Sequence, residues 1–426
     1  MDGACDDHVE NLSAAITGSL PLLHTLSITH KASYSPSTQT SLLFEGAANV
    51  TKFALCTHCP EFLSRFAFPN LTTLYFQRDE DLGEFPIPIL LDFLEASPSL
   101  QELNLVIIGH ISPEDVPLDR IIVLPHVKDF CLNLINYNIE WELATHLSCP
   151  SAEYARFWAH SIYGGYNIPE DIYPPPLPWT AISHQYTMDM IDEVELRFNF
   201  DEKVAHPTCS IFFRSTNGAT LELCFDNSYN SRNMGFRDMK LGKQVGSIVF
   251  SQASKAIRGY PTLANVRRFR IQGGGVLTDD LNLAVNDAGK LLGSVGPLER
   301  LDLYECDLRP YLDAFLETPR FPHAIHLASF PPIKELTIAN PIQSLADNEA
   351  YAIAVVKLAK SQHARGVPFE CVRLRPPPPF WVIEELSLSV NTVECDEMLS
   401  DADADQKWVS VFFSSHLLFF ILVSHK

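Results

Sequence analysis

The sequence predicts an α/β solenoid in which short parallel strands alternate with helices, and two observations support this. First, an apolar phrase φ-x-x-φ-x-φ, in which φ is Leu, Ile, Val or Phe, recurs along the chain. Its first positions are 27, 21, 29 and 27 residues apart in the N-terminal half, and 32, 35 and 36 residues apart further on. Second, apolar stretches of helical length and Pro-containing turns precede several phrases. Periods of roughly 20–50 residues are typical of solenoids.

The phrase itself predicts a strand. Its last two apolar positions are two residues apart, so their side chains lie on one face of a strand. One such unit cannot bury its apolar face alone, but stacked units cover one another and align their strands as a parallel sheet. The phrases are Leu23-Leu26-Ile28, Val50-Phe53-Leu55, Leu71-Leu74-Phe76, Leu100-Leu103-Leu105, Val127-Phe130-Leu132, Val266-Phe269-Ile271, Leu298-Leu301-Leu303, Ile333-Leu336-Ile338 and Phe369-Val372-Leu374. The alternative is an ordinary α/β domain with chance Leu-x-Leu pairs.

Helices are expected between the strands. The stretch 89–94 precedes the phrase at Leu100, and the stretch 281–292 precedes the phrase at Leu298. A third stretch, 347–362, is rich in alanine and is followed by Gly366, which we expect to end the helix. Strand, turn, helix and turn in this order give a right-handed α/β connection.

The phrase also defines a domain organisation. The solenoid is predicted over residues 20–392, after an N-terminal extension at 1–19, with an irregular middle at about 160–260. In that middle, Asn217-Gly218 stands between alternating apolar runs, which indicates either an inserted hairpin or a degenerate unit. Residues 393–407 are acidic and predict a solvated linker. Residues 408–426 form an apolar tail that is interpreted as a membrane anchor, a packed terminal element or translated non-coding sequence.

Composition limits the kinds of partner. The formal net charge of −21 disfavours nucleic acid and anionic membranes as main partners. The N-terminus shows neither a basic region nor an apolar region of a signal peptide. A cytoplasmic or nuclear protein with reduced thiols is therefore expected, with membrane attachment left open by the apolar tail.

No pattern in the sequence predicts catalysis, a cofactor or a metal. Cys56-Thr-His-Cys59 is a single C-x-x-C without the second ligand pair of a zinc site. Gly273-Gly274-Gly275 follows a predicted strand but lacks the spacing and the lysine of a phosphate-binding loop, so it is interpreted as a turn. No G-x-S-x-G or H-E-x-x-H motif occurs. We therefore expect a protein that is not an enzyme.

Candidate binding residues follow from the period of the strands. Positions that alternate with the apolar ones face away from the core and would line the concave side of a curved sheet, with helices on the convex side. Tyrosine and arginine are frequent anchors of protein interfaces. The candidate protein-binding residues are Tyr75, Asn104, Asn133, Arg268, Arg270, Arg300, Asp302 and Tyr304. The pair Arg268 and Arg270 beside Asp302 and Tyr304 is the strongest candidate patch.

Four segments resemble the leucine-rich-repeat region of fungal F-box proteins of basidiomycetes. They are residues 68–76 (FPNLTTLYF), 93–105 (FLEASPSLQELNL), 123–132 (VLPHVKDFCL) and 297–303 (PLERLDL). The resemblance covers about residues 20–390 and implies an irregular leucine-rich-repeat-like solenoid. It also implies the substrate receptor of a cullin–RING ubiquitin ligase, with a protein substrate on the concave face. No F-box is visible within residues 1–19, so adaptor and cullin subunits are expected only if an F-box exists outside this chain. The alternatives are a non-ligase scaffold or a tail-anchored interaction protein and, less favoured, an α/β enzyme.

Overall fold

The chain is an α/β protein in which most strand neighbours are parallel. A computed structural model describes residues 23–30, 48–57, 60–78, 84–107, 110–111, 120–134, 140–160, 191–199, 208–226, 265–273, 292, 298–305, 333–339, 349–395, 410–414 and 417–420. The chain divides into two compact units. Unit 1 comprises Met1–Met190 and Ser215–Asn233, and unit 2 comprises Ile191–Arg214 and Met234–Lys426.

The elements of the described residues are numbered along the chain. The strands are β1 (Thr25–His30), β2 (Lys52–Thr57), β3 (Thr73–Arg78), β4 (Glu84–Phe85), β5 (Glu102–Ile107), β6 (His110–Ile111), β7 (Ile122–Val123), β8 (Asp129–Leu134), β9 (Leu147–Ser148), β10 (Tyr154–His160), β11 (Ile191–Asn199), β12 (Thr208–Ser215), β13 (Thr220–Asp226), β14 (Arg268–Gly273), β15 (Arg300–Tyr304), β16 (Glu335–Ala339), β17 (Cys371–Arg375), β18 (Thr392–Cys395), β19 (Ser410–Ser414) and β20 (Leu417–Phe420). The helices are α1 (Ile87–Glu95), α2 (Glu140–Thr145), α3 (Glu349–Ala364) and α4 (Phe380–Ser387), with a 3₁₀ helix at Pro60–Arg65.

Unit 1 contains a parallel sheet. Its strands lie in the order β1, β2, β3, β5, β8, β10, β13, and each neighbouring pair is parallel. The predicted apolar positions align across these strands and are buried from β2 onward, for example Phe53 beside Leu74 and Leu74 beside Leu103. Full burial of a side chain of this size contributes about 1.5–3 kcal/mol. The strands predicted from the N-terminal phrases are confirmed.

Helix α1 packs its apolar residues into the core of unit 1. Ile87, Leu90, Leu91 and Leu94 are fully buried. A proline within its first two positions is compatible with helix initiation, because the N–H groups of the first turn have no partner inside a helix. The predicted helix at 89–94 is therefore confirmed, with two additional residues at its start and one at its end.

Unit 2 also contains mostly parallel strands. Its strands lie in the order β12, β11, β14, β15, β16, β17, β18, β19, β20. The pairs from β11 to β18 are parallel, whereas β18–β19 and β19–β20 are antiparallel. The apolar positions align here as well, with Phe269 beside Leu301 and Leu301 beside Leu336, all buried. The strands predicted from the four C-terminal phrases are confirmed.

Helix α3 confirms the predicted alanine-rich helix and the residue that ends it. The helix spans Glu349–Ala364. Gly366 has a φ of 76°, its N–H donates to the carbonyl of His363, and the N–H of Val367 donates to the carbonyl of Gln362. This left-handed residue satisfies carbonyl groups that a helix end leaves open, and glycine adopts it without steric cost. In the stretch 281–292, only Leu292 is described, and it is helical.

Two glycines with a positive φ have a structural explanation. Gly218 has a φ of 89° in a tight turn between β12 and β13, in which the N–H of Ser215 donates to the carbonyl of Ala219. Gly273 has a φ of 77°, and a Cβ atom there would lie 2.1 Å from the carbonyl oxygen of Phe198. Both positions therefore favour glycine for conformational reasons. Gly274 and Gly275 lie outside the described residues, as does Cys59.

The predicted segment boundaries change at the C-terminal end. Strand β18 extends through Cys395, so residues 393–395 belong to the sheet and not to the acidic linker predicted at 393–407. The apolar tail contributes β19 and β20, an antiparallel pair that continues the sheet of unit 2. Among the described residues, no helix combines the length and the apolar character needed to cross a bilayer. The extension at 1–19 lies outside the described residues.

Candidate functional site

The polar side of the sheet in unit 2 carries most of the candidate binding residues. We call this surface the unit 2 polar face. Because adjacent strands are in register, its side chains form rows that cross β11, β14, β15 and further strands. The first row is Glu193, Arg268, Arg300 and Glu335, the second is Glu195, Arg270, Asp302, Thr337, Arg373 and Glu394, and the third begins with Arg197, Gln272 and Tyr304.

Asp302 is the central carboxylate of this face. Its Oδ2 atom accepts from Nε and Nη2 of Arg268 at 2.8 and 2.7 Å, and its Oδ1 atom accepts from Nε of Arg300 at 2.8 Å. The side chain is fully buried. Burial alone would raise the pKa of Asp302, but the hydrogen bonds from Arg300 and Thr337 and the charge of Arg268 stabilise the carboxylate, so its pKa lies below the ordinary value.

The burial of Asp302 corrects one part of the prediction. The sequence places Asp302 on the solvent-facing side as a residue that contacts a partner. It does lie on that side, but the arginines of its own and the neighbouring strand cover it completely. Its role is to position Arg268 and Arg300, whose side chains remain 29% and 28% exposed.

Glu195 is a second buried carboxylate on the same face. Nη2 of Arg197 lies 2.8 Å from its Oε1 atom, and Nη2 of Arg214 lies 2.6 Å from its Oε2 atom. Burial would raise the pKa of Glu195, but the hydrogen bonds and charges of these two arginines lower it below the ordinary value. Arg214 also pairs with Glu193, and both Arg197 and Arg214 stand over the ring of Phe212. The carboxylate and the aromatic ring thus fix the two guanidinium groups.

Arg373 connects the cluster to the last parallel strands. Its Nη1 atom donates to Glu335 at 2.6 Å, and its Nε atom donates to Glu394 at 2.7 Å. Burial opposes its charge, but the bonds to these two carboxylates raise the pKa of Arg373 above the ordinary value. Glu394 falls in the segment predicted as a linker, and this ion pair explains why it belongs to the sheet.

The polar side of the sheet in unit 1 has a different character. We call it the unit 1 polar face, and its side chains are mostly uncharged. The predicted residues Tyr75 and Asn104 are neighbours in one row, and Asn133 lies in the next. All three are partly exposed. The hydroxyl group of Tyr75 donates to Gln77 on the same strand at 2.6 Å. Uncharged hydrogen-bonding and aromatic side chains thus dominate this part of the face.

One ion pair interrupts the unit 1 polar face. Glu222 on β13 is 4% exposed and accepts from Nε of Arg156 at 2.7 Å, from the hydroxyl group of Tyr154 and from the thiol of Cys224 at 2.9 Å. Burial would raise the pKa of Glu222, but these hydrogen bonds and the Arg156 charge lower it. Burial also raises the pKa of the neighbouring Cys131 thiol, which disfavours the reactive thiolate.

The strand alternation rule could have found the residues that sequence reasoning missed. Glu193, Glu195 and Arg197 alternate with the buried apolar residues Val194, Leu196 and Phe198 of β11 in the same way as the predicted residues do on their strands. Arg156 has the same relation to Ala155 and Phe157. Their ion pairs depend on which strands become neighbours in the sheet, and strand order cannot be read from the sequence alone.

Neither face shows an arrangement typical of a metal site. Among the described residues, no three His, Cys, Asp or Glu side chains converge in a group that could hold a metal ion.

Comparison with family models, with curated proteins and with solved structures found no match to this chain.

Proposed function

We propose that this chain is a protein-binding module whose two units are stretches of an irregular leucine-rich-repeat-like solenoid. One observation carries the proposal. On successive parallel strands in register, every second side chain is apolar and buried, while the alternate side chains form rows of Arg, Glu, Tyr and Asn on the other side. A broad sheet surface of this kind suits contact with another macromolecule better than enclosure of a small substrate.

The composition of the unit 2 polar face supports a protein as the partner. Interface anchors are enriched in Tyr and Arg, and Tyr304, Arg268, Arg270 and Arg300 lie on adjacent strands β14 and β15. Their side chains are held by ion pairs and a ring contact, so binding would cost little side-chain entropy. A non-enzymatic role is part of the proposal.

We further propose that the module recognises the substrate of an F-box-type ubiquitin ligase. The support is the resemblance of residues 68–76, 93–105, 123–132 and 297–303 to that region of fungal F-box proteins. Adaptor and cullin subunits would join through an F-box outside this chain. A cytoplasmic or nuclear location fits this role.

Affinity purification followed by mass spectrometry tests both parts. The tagged full chain is expected to recover at least one stoichiometric protein partner. If it also recovers adaptor and cullin subunits, the ligase role is supported. A partner recovered without these subunits would support the binding module alone, and no partner at all would refute it.

The double variant Arg268→Glu/Arg270→Glu tests the surface. It is expected to lose the recovered partner, whereas Arg267→Glu, an exposed neighbour outside the rows, is expected to retain it. Because Arg268 is bonded to buried Asp302, circular dichroism and thermal unfolding must first establish that the double variant is folded. An unchanged yield of partner with the folded double variant would exclude the unit 2 polar face.

A further inference from the structure

Arg270 is the least satisfied cation of the unit 2 polar face. Its register neighbours are Glu195 on β11 and Asp302 on β15. The nearest oxygen of each carboxylate lies 3.8 Å from the guanidinium group, which is too long for a hydrogen bond. Its Nε atom is buried and has no hydrogen-bond partner. Among the described residues, neither flanking carboxylate therefore lies within hydrogen-bond distance of this guanidinium group.

The two flanking carboxylates are already engaged with other arginines. Glu195 holds Arg197 and Arg214 at 2.8 and 2.6 Å, and Asp302 holds Arg268 and Arg300 at 2.7 and 2.8 Å. Each of these carboxylates therefore interacts more closely with two other guanidinium groups than with that of Arg270.

The local charge is consequently positive. On the described strands β11, β12, β14 and β15, this face presents five guanidinium groups and three carboxylates. The guanidinium groups are those of Arg197, Arg214, Arg268, Arg270 and Arg300, and the carboxylates are those of Glu193, Glu195 and Asp302. The surplus of two positive charges stands in a chain with a formal net charge of −21. Such a local reversal of sign favours a negatively charged ligand.

The guanidinium group of Arg270 is also held in place. It lies 5.4 Å from the centre of the Tyr304 ring, at a cation–π distance, and its side chain is 24% exposed. A planar guanidinium group in a fixed orientation can donate two parallel hydrogen bonds to a carboxylate.

We propose that Arg270, framed by Arg268, Arg300 and Tyr304, binds Glu or Asp side chains of an acidic segment in the partner protein. This inference rests on the proposed binding function and names the chemistry of its partner. We choose a carboxylate because its two coplanar oxygen atoms match the two parallel N–H donors of a planar guanidinium group. Two carboxylates would balance the surplus charge.

A defined peptide tests the inference without knowledge of the partner. A rhodamine-labelled hexaglutamate, about 20 Å long when extended, can cross four neighbouring strands spaced about 4.8 Å apart. Fluorescence anisotropy with the full chain should show that hexaglutamate binds at least about tenfold more tightly than hexaglutamine, as expected for charge-assisted bonds. A hexapeptide of alternating phosphoserine and glycine should bind more weakly than hexaglutamate. Equal binding of hexaglutamate and hexaglutamine would overturn the inference, and tighter binding of the phosphopeptide would overturn the choice of carboxylate.

Matched variants locate the site. Arg270→Gln should weaken hexaglutamate binding about tenfold, and Arg270→Lys should recover only part of it because the second parallel hydrogen bond is lost. Arg267→Gln removes the same charge at an exposed residue directly before β14, outside the rows of the face, and should have little effect. If Arg267→Gln and Arg270→Gln weaken binding equally, the attraction is general and the inference is wrong.

The recovered partner separates this inference from the proposed function. A partner that binds wild type and Arg270→Gln equally, and that hexaglutamate does not displace, would overturn the acidic-segment inference while the binding module stands. Displacement of the partner by hexaglutamate but not by hexaglutamine would support both.

Discussion

Replacement of Asp302 by Asn should destabilise unit 2 strongly, although the change preserves shape. Asp302 is fully buried and accepts hydrogen bonds from Arg268 and Arg300 through different oxygen atoms. In Asp302→Asn, one oxygen remains an acceptor, but an NH₂ group replaces the other and faces guanidinium donors. The arginines also lose their shared counter-charge.

The size of the effect follows from these contacts. A hydrogen bond to a charged group contributes about 1.5–3 kcal/mol, and removal of one partner of a buried ion pair costs about 3–5 kcal/mol. Since Arg268 and Arg300 are 29% and 28% exposed, water compensates part of the loss. We therefore expect the free energy of unfolding of unit 2 to fall by about 2–4 kcal/mol.

The pH dependence of this difference is a second prediction for the same residue. The pKa of Asp302 is lower in the folded chain than its ordinary value, so the carboxylate contributes stability above the unfolded pKa of about 3.9. This contribution is lost as the pH falls from there through the folded pKa. The difference between wild type and Asp302→Asn should therefore be full at pH 7 and should decrease below about pH 4.

Hydrogen exchange measured by mass spectrometry is the appropriate assay, because a chain with two units need not unfold in one step. Amides of β14 and β15 should exchange faster in Asp302→Asn at pH 7. Asp129→Asn, an exposed aspartate on β8, is the control and should change stability by less than about 0.5 kcal/mol. If both variants leave exchange in β14 and β15 unchanged, the carboxylate is not the structural centre of the unit 2 polar face.

Three further predictions concern individual positions. Gly273→Ala should lower the free energy of unfolding by more than about 1 kcal/mol, because its Cβ atom would clash with the backbone of Phe198. Gly218→Ala should lower it by only about 1 kcal/mol, because a Cβ atom there meets no neighbour and only the positive φ is unfavourable. Chemical denaturation of the two variants measures the difference. Gln362→Met should raise the free energy of unfolding by about 1–2 kcal/mol, since both polar atoms of this fully buried amide find no hydrogen-bond partner among the described residues. An unchanged denaturation midpoint would contradict this. Burial raises the pKa of the Cys149 thiol to about 12, so this thiol should resist alkylation by iodoacetamide at pH 8 until urea unfolds the chain. Rapid labelling of the native chain, detected by mass spectrometry, would exclude its burial.

The strands of the fold are largely predictable because their signal is local. The alternation of Leu298, Leu301 and Leu303 specifies which side of β15 is buried, and the structure buries those residues. Strand β18 was missed because Thr392–Cys395 contains a single aliphatic residue, Val393. Its inclusion depends on pairing with β17 and on the bond between Arg373 and Glu394, which are distant in sequence.

The candidate site is only partly predictable for the same reason. Alternation places Arg268, Arg270, Asp302 and Tyr304 on one side, and the structure brings them together. The alternation pattern does not predict how deeply each side chain is buried by its neighbours. Asp302 is buried because arginines from its own and the adjacent strand fold over it, and Arg270 remains unsatisfied because Glu195 is already occupied. Such competition among charges is a property of the assembled sheet.

Site-specific photo-crosslinking to the recovered partner tests most directly whether the unit 2 polar face binds protein. A photo-reactive amino acid at Gln272, on this face, is compared with one at Lys357, which is exposed on α3. We expect a crosslink to the partner from position 272 and none from position 357. A crosslink from position 357 alone would contradict this expectation.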